Sequence, residues 1–199
     1  MAKQTASQTV GPYFAYCLTE AERYGGHSVA SNRLVADATL GSRIQIEGRV
    51  FDGAGKPVPD AMIEIWQANA AGRYAHPEDT RGHAPLDHSF QGFGRAGTDA
   101  AGRYFFDTIK PGAVPGTGGS PQAPHVNVIV FARGMLVHAY TRLYFSDEQS
   151  ANAADLLLNS VPESRRNTLV AERHESDGRV AYLFDIRLQG DGETVFFDV

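Results

Sequence analysis

The sequence predicts an all-β chain: a β-sandwich with an extended N-terminal arm and one or two short helices. Two observations carry this prediction. Short apolar segments with alternating polarity recur along the chain, and Gly- or Asp-containing turns separate them. Only one segment carries the signals of a helix start. Short strands, regular turns and few helices are typical of two packed sheets.

The first strands are predicted between residues 43 and 106. From Arg43 onward Ile44, Ile46 and Val50 alternate with polar residues, which indicates a half-buried strand. Further strands are expected from Ala61 to Gln67 and from Arg103 to Phe106. The segment Tyr74 to Phe93 has no period and contains several His and Pro residues, so we expect a long functional loop there.

The central strand is predicted from His125 to Phe131, after a Gly/Pro-rich loop that begins at Lys110. Because side chains alternate along a strand, His125 and Asn127 share one face, while valines fill the other. Polar groups on an apolar strand are costly to bury without partners. The start of this strand is therefore the predicted location of a site.

The C-terminal third is predicted to contain strand, helix and strand. Leu136 to Phe145 is rich in β-branched and aromatic residues. A capping-box pattern at Ser160 to Glu163 predicts a helix that continues to Arg173. Alternation from Val180 to Leu188 then predicts a strand, and a last strand is expected from Thr194 to Phe197.

The first 40 residues carry little periodicity, so we divide the chain into an arm (residues 1–40) and a sandwich domain (residues 41–199). Residues 7–18 are aromatic-rich and broken by Gly11-Pro12, which argues against a helix. A solvated tail is the alternative. The arm is favoured because Tyr13 and its aromatic neighbours are poor residues for a solvated tail.

Composition excludes several classes of function. A formal charge of −5 without a basic run gives no indication of nucleic-acid binding. The sequence contains no stretch of about 18 apolar residues, so it predicts no membrane span. The N-terminus lacks the apolar core of a signal peptide, and Cys17, the single cysteine, cannot form an internal disulfide. We therefore expect a cytoplasmic protein.

Tyrosine and histidine side chains dominate the candidate chemistry, and the common zinc, phosphate-loop and nucleophile-elbow motifs are absent. A phenolate oxygen is a hard, anionic ligand that suits Fe(III), and imidazole complements it. Taken alone this signal is weak, because a single strand histidine is more often a hydrogen-bonded structural residue. The candidate polar residues are Tyr74, His76, His83, His88, Arg95, His125, Asn127, Arg133, His138, Tyr140 and Arg142.

Several motifs together resemble the intradiol ring-cleavage dioxygenases. They are Ile65-Trp66-Gln67-Ala68-Asn69 followed by Gly72-Arg73-Tyr74, Thr108-Ile109-Lys110-Pro111-Gly112, Pro124-His125, the opening SQTVGPY, and the ending Tyr182 to Phe197. The resemblance covers nearly the whole chain. It implies a prealbumin-like β-sandwich and a ring cleavage that uses O2 and non-heme Fe(III).

The resemblance also implies that the iron site in this chain is incomplete. Family members hold iron with two tyrosines and two histidines, and the matching positions here are Tyr74, Val114, His125 and Asn127. Valine has no donor atom, and a neutral amide is a poor substitute for imidazole on ferric iron. We therefore expect no metal in this chain and Fe(III) in a β subunit that carries the intact site.

The implied activity is the cleavage of protocatechuate within a higher-order hetero-oligomer. The resemblance places Thr9, Gly11, Pro12, Tyr13 and Arg133 in the substrate pocket of the β subunit and leaves no catalytic residue in this chain alone. An arginine would complement the carboxylate of the substrate. The alternatives are a self-sufficient dioxygenase, with iron on Tyr74, His125 and donors such as His76 or His83, and a purely structural β-sandwich subunit.

Overall fold

Two facing layers of β-strands form the body of the protein, for which a computed structural model describes residues 18–19 and 30–198. The strands are β1 (Arg43–Phe51), β2 (Met62–Gln67), β3 (Phe93–Gly97), β4 (Arg103–Ile109), β5 (Val114–Pro115), β6 (Pro121–Gln122), β7 (His125–Phe131), β8 (Ala139–Phe145), β9 (Val170–Ser176), β10 (Arg179–Leu183) and β11 (Ile186–Arg187). The short helices are α1 (Gln149–Ala154), α2 (Leu156–Ser160) and α3 (Glu163–Arg166). The predicted all-β class is confirmed.

The strand order is β11-β1-β10-β9-β8-β7-β2-β3, and β4 also pairs with β1. Most pairs are antiparallel, but β1 runs parallel to β10 and β11, and β8 runs parallel to β9. The β8–β9 contact is short, Tyr144 with Val170 and Phe145 with Ala171, and it joins the two layers at one side. The result is a sandwich that is nearly closed into a barrel.

The core lies between the layers and follows the alternation of the sequence. On β7 the side chains of Val126, Val128 and Val130 are buried, whereas Asn127 and Ile129 on the opposite face are only half-buried. The inward-facing residues of β1, β4 and β10 meet these valines across the core. A single face of each strand therefore supplies the main apolar cluster.

A second, smaller apolar cluster lies on the outer side of β7 and β8, beneath the helices. It consists of Ala123, Tyr144, Leu158, Val161 and Leu169. The helices thus cover the end of β7 at which His125 stands. Within residues 18–19 and 30–198, no helix has the length and apolar character needed to cross a lipid bilayer.

Two predictions about the C-terminal third are wrong. The helix expected from Ser160 to Arg173 begins only at Glu163 and ends at Arg166, and the chain then enters β9 through a 3₁₀ turn. Ser160 does not cap it, because the N-cap residue is Pro162 and has no side-chain cap bond. The pairing of β9 with β10 and β8 outweighs local helix propensity in this segment.

The expected terminal strand is also wrong. Residues 194–197 make only one isolated bridge, between Phe197 and Tyr140. The strand predicted from Val180 to Leu188 is confirmed in two pieces, β10 and β11, which break at Phe184 and Asp185. Residues 30–198 contain three short α-helices where the sequence predicts one or two.

Candidate functional site

Three of the four candidate metal-site positions line one open cavity of about 520 Å³ at the helix-covered end of β7. Tyr74, Val114 and His125 form part of its wall. Asn127, the fourth position, reaches the same place, because its Nδ2 lies 3.5 Å from the hydroxyl of Tyr74. The structure therefore brings together all four positions that the family resemblance identifies.

Tyr74 is held by a tight turn after β2. The side chain of Asn69 accepts hydrogen bonds from the backbone N–H groups of Ala71 and Arg73, at 3.0 and 2.9 Å. Gly72 has a φ of +75°, and a Cβ there would lie 2.0 Å from the carbonyl oxygen of Ala113. Only glycine fits this approach. The turn that presents Tyr74 is thereby packed directly against the loop that presents Val114.

A carboxylate fixes the far side of the same loop. The side chain of Asp79 accepts from the backbone N–H of Tyr74 at 2.8 Å and forms a fork with the guanidinium of Arg81. The Arg81 hydrogen bonds hold the pKa of Asp79 well below its usual range. On the other side, the ring of Trp66 stacks on that of Tyr74, with centroids 5.7 Å apart. Tyr74 is therefore immobilised from three directions.

The polar side chains at the four candidate positions form hydrogen bonds with one another. Nδ1 of His125 lies 2.7 Å from the carbonyl oxygen of Ala123, which can only accept, so Nδ1 carries the proton. Nε2 then accepts from the hydroxyl of Tyr74 at 3.4 Å. The amide of Asn127 donates to the Tyr74 oxygen and accepts from the Tyr140 hydroxyl at 2.6 Å. These hydrogen bonds form a continuous series from the backbone carbonyl of Ala123 to the hydroxyl of Tyr140, and none of them requires a metal ion.

Electrostatics keep both retained family ligands neutral. Burial, and secondarily the positive charge of Arg142, lower the pKa of His125 to about 4. Burial raises the pKa of Tyr74, although the hydrogen bond from Asn127 partly opposes it. At neutral pH the site thus presents a neutral imidazole and a phenol, together with the cationic side chains of Arg142 and Arg81.

These residues do not fit an iron ion. Val114 is buried and has no donor atom, and the oxygen of Asn127 is already bound by Tyr140. Within the described ranges, no group of three or more His, Cys, Asp or Glu side chains could hold a metal. The cation of Arg142 beside His125 adds repulsion for a further positive charge. Two strong ligands in such surroundings would not retain ferric iron.

The other predicted site residues are dispersed. Arg133 lies beyond the opposite end of β7 from His125, where its Nε pairs with Asp60 at 2.7 Å and its side chain is 67% exposed. His76 lines the cavity, whereas His83 lines a neighbouring cleft. Arg95 pairs with Glu64 on the neighbouring strand. Thr9, Gly11, Pro12 and Tyr13 lie outside the described residues.

Several residues of the cavity wall were missed as functional candidates, among them Asp79, Arg81, Gln122 and Trp66. Gln122 on β6 accepts a hydrogen bond from Nη1 of Arg142 at 2.6 Å. Trp66 on β2 stands opposite Asn127 on β7, which in turn stands opposite Arg142 on β8. This row across three strands depends on strand register, so the available signal was only that Trp66 belongs to a family motif.

Comparison with known proteins agrees with this architecture. The family described as Dioxygenase matches residues 11–190. The protocatechuate 3,4-dioxygenase alpha chain of Burkholderia cepacia is 48% identical over 99% of this chain and 98% of its own length. The beta chain of the same enzyme is 40% identical, over 84% of this chain and 73% of its own length.

Solved structures show the same fold. The dioxygenase domain of a dioxygenase–carbohydrate-binding protein fusion from Streptomyces sp. SirexAA-E superposes with a TM-score of 0.63 at 26% identity, covering 94% of this chain and 99% of that domain. Sequence match, fold and the convergence of Tyr74 with His125 agree. The chain therefore belongs to the iron-dependent intradiol dioxygenase family and is 44–48% identical to two protocatechuate 3,4-dioxygenase alpha chains over nearly its full length.

Proposed function

We propose that this chain is the iron-free alpha subunit of a hetero-oligomeric protocatechuate 3,4-dioxygenase. The enzyme would add both atoms of O2 to protocatechuate and open the ring between its two hydroxyl-bearing carbons. The product would be 3-carboxy-cis,cis-muconate, an intermediate of aromatic catabolism. A ferric ion held by the beta subunit would bind the catechol and act as a Lewis acid.

One observation carries this proposal: Val114 and Asn127 stand beside Tyr74 and His125 in an otherwise preserved site. A self-sufficient enzyme would need four iron ligands here, but Val114 has no donor atom and the side-chain oxygen of Asn127 already accepts from the Tyr140 hydroxyl. The near-full-length similarity to alpha chains, beside a weaker similarity to a beta chain, agrees with this assignment.

The contribution of this chain would be to complete the partner's substrate pocket. We propose that the arm, residues 1–40, docks on the beta subunit while residues 41–199 form the sandwich, and that Thr9, Gly11, Pro12 and Tyr13 approach the substrate. Gly and Pro there would let the backbone pack closely against a planar ring. We expect the assembly in the cytoplasm.

Arg133 would complement the carboxylate of protocatechuate. Its side chain is exposed, and the ion pair that it forms among the described residues, with Asp60, is at the surface, so the guanidinium can reorient at low cost. An Arg–carboxylate contact also fixes the orientation of the ring relative to the iron. On this proposal Arg133 is a substrate-binding residue supplied in trans.

Iron content tests the subunit assignment. The chain is expressed with and without the beta subunit, and iron is quantified together with the visible spectrum. We expect a colourless, iron-free chain alone and a red-brown complex whose iron matches the number of beta subunits. Stoichiometric ferric iron with a tyrosinate absorption in the chain alone would show a self-sufficient enzyme instead.

Kinetics of the assembled enzyme test Arg133. Arg133→Gln should raise KM for protocatechuate at least tenfold while changing KM much less for catechol, which lacks the carboxylate. Arg103→Gln is the matched control, because Arg103 is also exposed and paired with a surface carboxylate, Asp99. Equal kinetics for Arg133→Gln, Arg103→Gln and the wild type, and for an arm-deleted enzyme, would support a purely structural role.

A further inference from the structure

Arg142 is a cationic residue of the cavity to which the proposed function gives no role. It lies on β8 directly opposite Asn127 and lines the cavity beside Tyr74 and His125. Its Nη1 donates to Oε1 of Gln122 at 2.6 Å. Its Nε is enclosed and has no hydrogen-bond partner among the residues that the structure describes. A half-buried guanidinium with an unpaired donor lowers the stability of the folded state.

The described residues supply no counter-ion for this charge. No carboxylate in residues 18–19 and 30–198 pairs with Arg142. Asp79 in the same cavity is fully engaged by Arg81, and Glu78 is exposed. The buried Asp155 reaches Arg142 only through the hydroxyl of Tyr144, which donates to it at 3.2 Å. The immediate partners of the guanidinium are amide and phenol groups.

The rest of the wall favours a flat organic body. The stacked rings of Trp66 and Tyr74, whose planes are 14° from parallel, and the short apolar side chain of Val114 form the wall beside Arg142. The cavity, about 520 Å³, exceeds the volume of a single benzene ring several-fold. Gln122 is held in place by its own bond to the carbonyl oxygen of Pro115 at 3.0 Å, so it orients the guanidinium toward the cavity.

We propose that this cavity is a metal-free binding site for a small planar carboxylate of the benzoate class. The carboxylate would pair with Arg142, and the ring would lie along Trp66 and Tyr74. Gln122 would act as a positioning residue. The inference rests on the proposed function in one respect only, namely that no iron occupies the cavity.

The probe is 4-bromobenzoate, which has no catechol hydroxyls and carries an anomalous scatterer. The full chain, co-purified with its partner, is crystallised with the probe, and bromine and iron are located by anomalous diffraction. We expect a bromine peak in this cavity and no iron there. An iron peak would overturn the proposed function, whereas an empty cavity without iron would overturn the binding site alone.

Titration calorimetry on the same complex tests the role of Arg142. Arg142→Gln should weaken binding at this site at least tenfold, and Arg142→Lys should retain part of it, because the charge remains. Arg103→Gln is the control arginine. Cyclohexanecarboxylate, with equal charge and a non-planar ring, should bind several-fold more weakly than benzoate.

Three results would refute the proposal. Unchanged affinity in Arg142→Gln would show that the charge is not used. Equal affinity for benzoate and cyclohexanecarboxylate would show that the aromatic wall does not select a planar body. Displacement of benzoate by equimolar inorganic sulfate would show a general anion site. If Arg142→Gln does not assemble, Gln122→Ala gives the same test, since loss of the positioning residue should also weaken binding.

Discussion

Asp155 links the helices to the candidate site, and its removal should loosen both. Its carboxylate is fully buried and accepts from the backbone N–H groups of Ala123 and Leu158, both at 2.9 Å, and from the Tyr144 hydroxyl. Asp155→Ala removes the cap of α2, which costs about 1 kcal/mol. It also leaves two buried donors, the N–H of Ala123 and the Tyr144 hydroxyl, without an acceptor, which costs about 1–3 kcal/mol each.

These costs sum to about 3–7 kcal/mol, and relief of the carboxylate's own desolvation offsets part of them, which leaves an expected loss of about 3–4 kcal/mol. Hydrogen exchange followed by mass spectrometry measures this locally in the assembled protein. Peptides covering residues 121–131 and 155–161 should exchange roughly two to three orders of magnitude faster. Asp155→Asn keeps one acceptor oxygen, so its exchange rates should lie between those of Asp155→Ala and those of the wild type.

Asp99 provides the matched control. It also accepts two backbone N–H bonds, from Ala101 and Arg103, but it is exposed, so water replaces it in Asp99→Ala. Exchange in its own loop should change far less than exchange at residue 123 does in Asp155→Ala. An acceleration below tenfold in Asp155→Ala, or one equal to that of the control, would refute the reasoning.

Three further predictions follow from the core and the site. Phe106 is fully buried, so Phe106→Ala should lower the free energy of unfolding, measured by urea denaturation, by about 3–5 kcal/mol. Phe105 is 38% exposed, so Phe105→Ala should lower it far less. Equal losses would contradict the assigned faces of β4. Because burial lowers the pKa of His125 to about 4, the unfolded chain binds more protons below pH 6.5, so stability should fall between pH 6.5 and 4 by at most on the order of 3 kcal/mol. NMR titration of the His125 ring checks this, and a midpoint near 6.5 would contradict it. Finally, the double variant Val114→Tyr with Asn127→His should bind ferric iron and show a visible absorption band. Binding should be stronger when Arg142→Gln also removes the opposing charge. A colourless triple variant would show that the missing ligands are not what prevents iron binding.

Strands with clear alternation could be predicted from the sequence, because burial of one face imposes that pattern. β7 and β1 are examples. β3 was missed, since FGRAG has no β-branched residue and contains two glycines. A Cβ at Gly94 would lie 2.5 Å from Cδ1 of Leu34 and 3.2 Å from the ring of Phe106, so a larger residue would force the Leu34 side chain to shift. That contact joins distant segments and leaves no local signal.

The candidate site was predictable only in part, for a similar reason. The positions Tyr74, Val114, His125 and Asn127 came from a family resemblance, and the structure brings them together. Arg142 was named from the sequence only as one of several candidate polar residues, and the role that we propose for it rests on strand register, which places it opposite Asn127. Register is set by packing across the whole sheet, so the local sequence did not indicate which residues surround Arg142.

The parallel pairing of β1 with β10 has a consequence for the order in which the protein is made. Ile46 pairs with Tyr182, so the first strand of the sandwich meets one neighbour only after nearly the entire chain has left the ribosome. Pairings between such distant segments close slowly, because the intervening loop entropy is lost before the contacts form. Until then, β4 is the neighbour among the described strands that pairs along the length of β1. We therefore expect folding to finish after translation, and assembly with a partner to follow it.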